Sequence, residues 1–243
     1  MRNRLILLPG WGLGISPLEP LAAALRGLDE HLRVDIEPLP ALESSDLQEW
    51  LDELDATLPQ DAWLAGWSLG GMLASALAAR RGDRCCGLVT LASNPSFVAW
   101  ARWDNAMHEE TFNAFLNGCR LDPDVTLKRF SLLCAQGAAD PRSMARLLLA
   151  GAPKTPAPVL LSGLELLGAL STRQALLDFQ GPQLHVFAGL DGLVPAEAAS
   201  ELLALLPDVE VGLIEQAGHA FPLEDPHGVA GAIQAFLHES GDD

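Results

Sequence analysis

The sequence predicts an α/β protein: a mostly parallel sheet of about six strands, helices on both faces, and a helical lid inserted between two halves of the sheet. Three observations carry this. Short, nearly continuous apolar runs recur, among them Leu5-Ile6-Leu7-Leu8, Trp63-Leu64-Ala65-Gly66-Trp67 and Gly87-Leu88-Val89-Thr90-Leu91-Ala92-Ser93. Such runs suit strands buried on both faces. Stretches with apolar residues at helical spacing alternate with them. Between residues 95 and 155 the alternation stops and only helical periodicity remains. The chain therefore divides into a core, 1–94 with 156–243, and an inserted lid, 95–155. A length of 243 residues and a hydrophobic content of 49% suit one such domain.

The elements follow in order. Met1-Arg2-Asn3-Arg4 leads into a strand at 5–8, ended by Pro9-Gly10. This apolar run is too short for a signal peptide, and no run reaches the ~18 residues that span a bilayer. A cytoplasmic protein is expected. The loop Pro9-Gly10-Trp11-Gly12-Leu13-Gly14 holds three glycines, which let backbone N–H groups turn toward a ligand. Ser16-Pro17 opens a helix at 18–28. A weaker strand at 33–37 is broken by Pro38-Leu39-Pro40. Asp46 caps a helix at 47–58, where Leu47, Trp50, Leu51, Leu54 and Leu58 share one face. After the strand at 63–67 a helix runs to about Arg81, and 87–93 is the next strand. From Trp100 to Leu149 helical periodicity is read throughout, with no strand. The core resumes with a helix at 160–170, a strand at 183–189, a helix at 196–206, a last strand at 209–214 and a helix at 229–237. A short tail, 240–243, ends the chain.

Charge narrows the partners. The net charge of −17 argues against nucleic acid and against anionic membrane surfaces. Yet residues 120–154 hold six basic side chains (Arg120, Lys128, Arg129, Arg142, Arg146, Lys154) against three acidic ones. Arg142 and Arg146, four apart on a helix, share one face. A basic patch on an acidic protein orients an acidic partner, although a solvated helix face would look similar. The cysteines Cys85, Cys86, Cys119 and Cys134 show no metal-ligand spacing and no disulfide pattern.

The chemistry centres on Gly66-Trp67-Ser68-Leu69-Gly70-Gly71, where a strand gives way to an Ala/Leu-rich helix. This is the context of a nucleophile elbow. Taken alone, the stretch also fits a serine that merely caps the helix. A serine nucleophile needs a base, and the base an orienting acid, following it along the chain as acid and then histidine. Of six histidines, His219 alone sits in a loop just after the last strand. His185 lies inside a strand, where packing is the usual role. Asp191 stands in the preceding loop, Gly189-Leu190-Asp191-Gly192-Leu193-Val194-Pro195. Its rival, Asp225, precedes a proline and reads as a helix start. The oxyanion donors would be the backbone N–H groups of Leu69 and of Trp11.

Three stretches now carry a resemblance: Leu7-Leu8-Pro9-Gly10-Trp11-Gly12-Leu13, Gly66-Trp67-Ser68-Leu69-Gly70-Gly71 and Leu190-Asp191-Gly192-Leu193-Val194-Pro195. They resemble the α/β-hydrolase superfamily and, more narrowly, the pimeloyl-acyl-carrier-protein methyl ester carboxylesterases of biotin synthesis. The resemblance implies an α/β-hydrolase fold and Ser68, Asp191 and His219 as triad. It implies Trp11, Ser68, Leu69, Phe130, Ser131, Leu132, Leu133, Cys134 and His219 as substrate contacts. It implies Arg129, Arg142 and Arg146 as contacts to an acyl carrier protein bearing the ester. Val125 stands where relatives can have another arginine, Pro9-Gly10 replaces a common His-Gly, and an N-terminal hairpin of many relatives has no counterpart here. No metal or cofactor is implied, and a monomer is expected. A short-chain carboxylesterase or thioesterase acting on free esters is the alternative, and a ligand receptor with an idle triad the more distant one.

Overall fold

The computed structural model describes residues 3–206 and 208–240. Met1, Arg2 and the tail beyond Ser240 lie outside the described residues. The strands are β1 (Arg4–Leu8), β2 (Arg33–Ile36), β3 (Ala62–Trp67), β4 (Cys85–Leu91), β5 (Gln183–Ala188) and β6 (Glu210–Ile214). They form one parallel sheet in the order β2-β1-β3-β4-β5-β6. The apolar runs of the sequence are its centre. Leu5, Ile6, Leu7 and Leu8 are wholly buried, and every residue of β3 and β4 falls in the interior. Each such leucine contributes about 1.5–3 kcal/mol through burial. The edge strands β2 and β6 are only partly covered.

The first helices are α1 (Glu19–Leu28), α2 (Leu47–Thr57) and α3 (Leu69–Arg81). Asp46 caps α2 as expected, its carboxylate accepting the Gln48 N–H at 2.7 Å. From β1 the chain steps one way to β2, then back across to β3. Right-handed crossovers therefore put α1 on one face and α2 and α3 on the other. The reversal separates the loops after β1 and β3, which is where open α/β sheets build sites. The Trp11 loop and Ser68 occupy that position.

Between β4 and β5 come α4 (Glu109–Leu121), α5 (Pro123–Cys134) and α6 (Pro141–Ala150), with α7 (Ala157–Ala169) packed on α4 and α5. Asp122 caps α5 and Asp140 caps α6. The segment 100–108 corrects the sequence reading. It is not helical: Val98 bridges Met107, and Trp100 bridges Trp103. Trp100, Trp103 and Met107 imitate a helical period, but the buried Trp103 indole donates to Asn94 Oδ1 at 2.7 Å and holds the segment as a bridged loop.

The core closes with α8 (Arg173–Asp178), α9 (Ala198–Leu205), α10 (Phe221–Glu224) and α11 (Pro226–Glu239). The short α8 and α10 have no periodic signature in the sequence. α11 packs on α1 and completes that face. Asp225 caps α11, accepting the Gly228 N–H at 3.0 Å, as its Pro neighbour suggested.

Candidate active site

Ser68 stands between β3 and α3 with φ 55° and ψ −120°, a left-handed conformation that costs a serine about 1–3 kcal/mol. Sterics enforce the turn. A Cβ on Gly66 would collide with the Gly70 carbonyl, and one on Gly70 with the Leu8 carbonyl. The backbone around Ser68 is fully tied: its N–H donates to Leu91 O at 2.9 Å, and Ser93 Oγ donates to its carbonyl at 2.9 Å. Its side chain makes no capping hydrogen bond to α3. The helix-cap alternative therefore does not describe this serine.

Asp191 and His219 meet, although 28 residues apart: His219 Nδ1 lies 2.8 Å from Asp191 Oδ2, and both side chains are fully buried. The other Asp191 oxygen accepts the N–H groups of Leu193 at 2.8 Å and Val194 at 3.0 Å. A carboxylate only accepts, so this contact calls for the proton on Nδ1 and leaves the lone pair on Nε2. The Trp67 indole donates to the His219 carbonyl at 2.9 Å and lies 5.6 Å from its ring. Ser68 Oγ and His219 Nε2 are both buried, and neither has a hydrogen-bond partner among the described residues. Each keeps its hydrogen-bonding capacity free for a further group.

His185 behaves as a packing residue. Its ring lies 2.7 Å from Thr90 Oγ1 and 3.2 Å from Gln183 Oε1, and burial pushes its pKa down to about 3. It stays neutral at any working pH.

The Trp11 loop presses on the elbow: a Cβ on Gly10 would stand 3.4 Å from Ser68 Cβ. Leu69 opens α3, so its N–H has no intrahelical acceptor. Trp11 is buried, its indole donating to Leu160 O at 2.8 Å and its ring meeting Phe130 edge-on at 5.1 Å. A cavity of about 290 Å³, lined by Gly10, Trp11, Trp50, Leu69, Lys154 and Leu160 among others, opens beside this loop.

The residues expected to contact substrate from α5 divide. Phe130 meets the Trp11 ring. Ser131 is fully buried, its hydroxyl bonded to the Lys128 carbonyl at 2.8 Å, and Leu133 is half-buried. Leu132 is exposed and lines a groove on the outer side of α5 and α6. Cys134 is buried, and burial, then the Asp191 charge, pushes its thiol well above the usual range. The outer groove, of about 490 Å³, is bordered by Lys128, Arg142 and Arg146 with Leu132 and Leu149 between them. Arg129 is exposed and is not among its lining residues. Its neighbour Lys128 does line the groove, which only the pairing of α5 with α6 reveals. Arg120 is engaged elsewhere, with Glu165 at 2.9 Å.

A family model described as the alpha/beta hydrolase fold matches residues 36–226. The chain belongs to the α/β hydrolase family. This hydrolase is 33% identical over 242 residues to the pimeloyl-[acyl-carrier protein] methyl ester esterase of Serratia marcescens, across 96% of this chain and 93% of that one. It is 34% identical over 256 residues to the biotin biosynthesis bifunctional protein BioHC of Teredinibacter turnerae, across 98% of this chain and 45% of that protein. It thus spans about half the length of the bifunctional relatives it matches. Among solved structures, the bromoperoxidase from Bacillus anthracis aligns with a TM-score of 0.83 over 98% of this chain and 92% of that one, at 18% identity. That likeness is one of fold.

Proposed function

We propose that this hydrolase is a serine carboxylesterase that removes the methyl ester from pimeloyl-acyl-carrier protein, giving the free acid on its carrier and methanol, as a cytoplasmic step of biotin synthesis. The observation that carries the reading is the buried Asp191–His219 pair at 2.8 Å together with Ser68 on its strained turn. Relatives that align along nearly their full length are named for the same substrate.

In this reading Ser68 Oγ attacks the ester carbonyl carbon as His219 Nε2 takes its proton. The N–H groups of Leu69 and Trp11 hold the oxyanion. Cleavage of the C–O bond sends the electron pair to the leaving oxygen, and His219 returns the proton to release methanol. Water then gives a proton to His219 and attacks the acyl-serine. Ser68 leaves with that proton, and the carboxylate is freed. Trp11 and Phe130 wall the acyl chain, while Leu132 with Lys128, Arg142 and Arg146 receives the acidic carrier. The lid, 95–155, is the unit that joins these two surfaces over the core.

The alternative, a carboxylesterase of free short-chain esters, draws support from one feature. The cavity beside Trp11 shares no residue with the basic groove; it touches the elbow at Leu69, and neither Ser68 nor His219 lines it. Turnover of matched methyl esters separates the two readings. With the carrier attached, kcat/KM should rise at least about tenfold and fall with added salt, since exposed charges are screened. Equal, salt-independent turnover of both substrates favours the alternative.

A further inference from the structure

The α5–α6 hairpin bears the basic groove on its outside, and the turn that closes it is lodged against both loops of the acid–base pair. A Cβ on Gly218, next to His219, would collide with the Gln136 carbonyl. One on Gly192, next to Asp191, would lie 2.5 Å from Gln136 Oε1. One on Gly137 would lie 2.7 Å from Leu190 Cβ. The two loops are themselves joined, the Leu190 N–H donating to Ala217 O at 2.9 Å.

Glu224 fastens this stack. It ends α10, five residues after His219, and its Oε1 accepts the Ala139 N–H at 2.8 Å across 85 residues of sequence. Its other oxygen is buried and meets no hydrogen-bond donor among the described residues. The bond lies near the surface, while Oε2 is covered by protein.

We propose that Glu224 is a positioning residue: by holding Ala139 it seats the 135–140 turn on the loops flanking Asp191 and His219 and keeps the imidazole aligned over Ser68. This rests on the esterase reading. A misplacement of about 1 Å at a reacting group can lower turnover by up to about 10²-fold. The effect belongs in kcat, because Glu224 touches neither the Trp11 cavity nor the basic groove.

The test uses the full chain and p-nitrophenyl acetate, which needs no carrier. Turnover by the native enzyme that Ser68→Ala does not abolish would sink the esterase reading, and this proposal with it. Given Ser68-dependent turnover, Glu224→Ala should lower kcat about tenfold with KM within about twofold. Glu224→Gln should stay within about twofold of native kcat, because its amide oxygen accepts the same N–H. Native kcat in Glu224→Ala overturns the proposal, as does a Gln variant as slow as Ala. Should Glu224→Ala fail to fold, Gln136→Ala probes the same seat from an exposed side chain. A fall in kcat of about threefold or more at constant KM supports the proposal, and an unchanged kcat overturns it.

Discussion

The Asp191 carboxylate splits its two oxygens between two tasks: Oδ2 lies 2.8 Å from His219 Nδ1, while Oδ1 is held by the Leu193 and Val194 N–H groups. The backbone thus aims the acid before the base is met. Asp191→Asn keeps the size but offers an amide N–H toward Nδ1, favouring the wrong tautomer. Steady-state hydrolysis of a chromogenic ester should fall by roughly 10⁴-fold with the fold intact by circular dichroism. A loss of less than tenfold would remove Asp191 from the mechanism.

Strain at Ser68 makes a second prediction. A residue at φ 55° is relieved by glycine and not by alanine. Ser68→Gly should therefore unfold in urea at a higher midpoint than Ser68→Ala, by roughly 1 kcal/mol. Both should be inactive. Equal midpoints would mean that the turn carries no strain.

His185 ties stability to pH. Its folded pKa is depressed to about 3 from 6.5, so below pH 6.5 the unfolded chain binds a proton that the folded one refuses. The stabilisation is complete above pH 6.5 and is lost as the pH falls toward 3. The slope from this group approaches 1.4 kcal/mol per pH unit. The pH dependence of unfolding free energy, measured from 6.5 to 4, should be shallower in His185→Gln by about that amount. Identical slopes would contradict it.

The basic groove predicts a split between substrates. Arg142→Glu with Arg146→Glu should raise KM for the carrier-linked ester by at least about tenfold and leave p-nitrophenyl acetate turnover within twofold, since neither arginine lines the Trp11 cavity. Equal losses on both substrates would show that the double change disturbs the fold or the site.

Much of this is legible in the sequence. The β1, β3 and β4 runs need no partner to be recognised, because burial on both faces makes them almost wholly apolar. Asp191 and His219 can be found because each follows a strand, and strand ends meet at one edge of a parallel sheet. The illegible parts depend on what packs beside what. Trp100, Trp103 and Met107 mimic a helix until Asn94 claims the Trp103 indole. Lys128 and Arg129 are equivalent in sequence, and only the packing of α5 on α6 brings Lys128 into the groove. Glu224 reads as a surface residue until Ala139, 85 positions away, is placed on it.

The most direct measurement is methanol release from the methyl ester of pimeloyl-acyl-carrier protein, followed with native enzyme and with Ser68→Ala. Native enzyme should release one methanol per ester consumed, over many turnovers, and Ser68→Ala should be slower by at least about 10⁴-fold. No release by native enzyme, or release that survives the loss of the Ser68 hydroxyl, would contradict a serine esterase built on Ser68, His219 and Asp191.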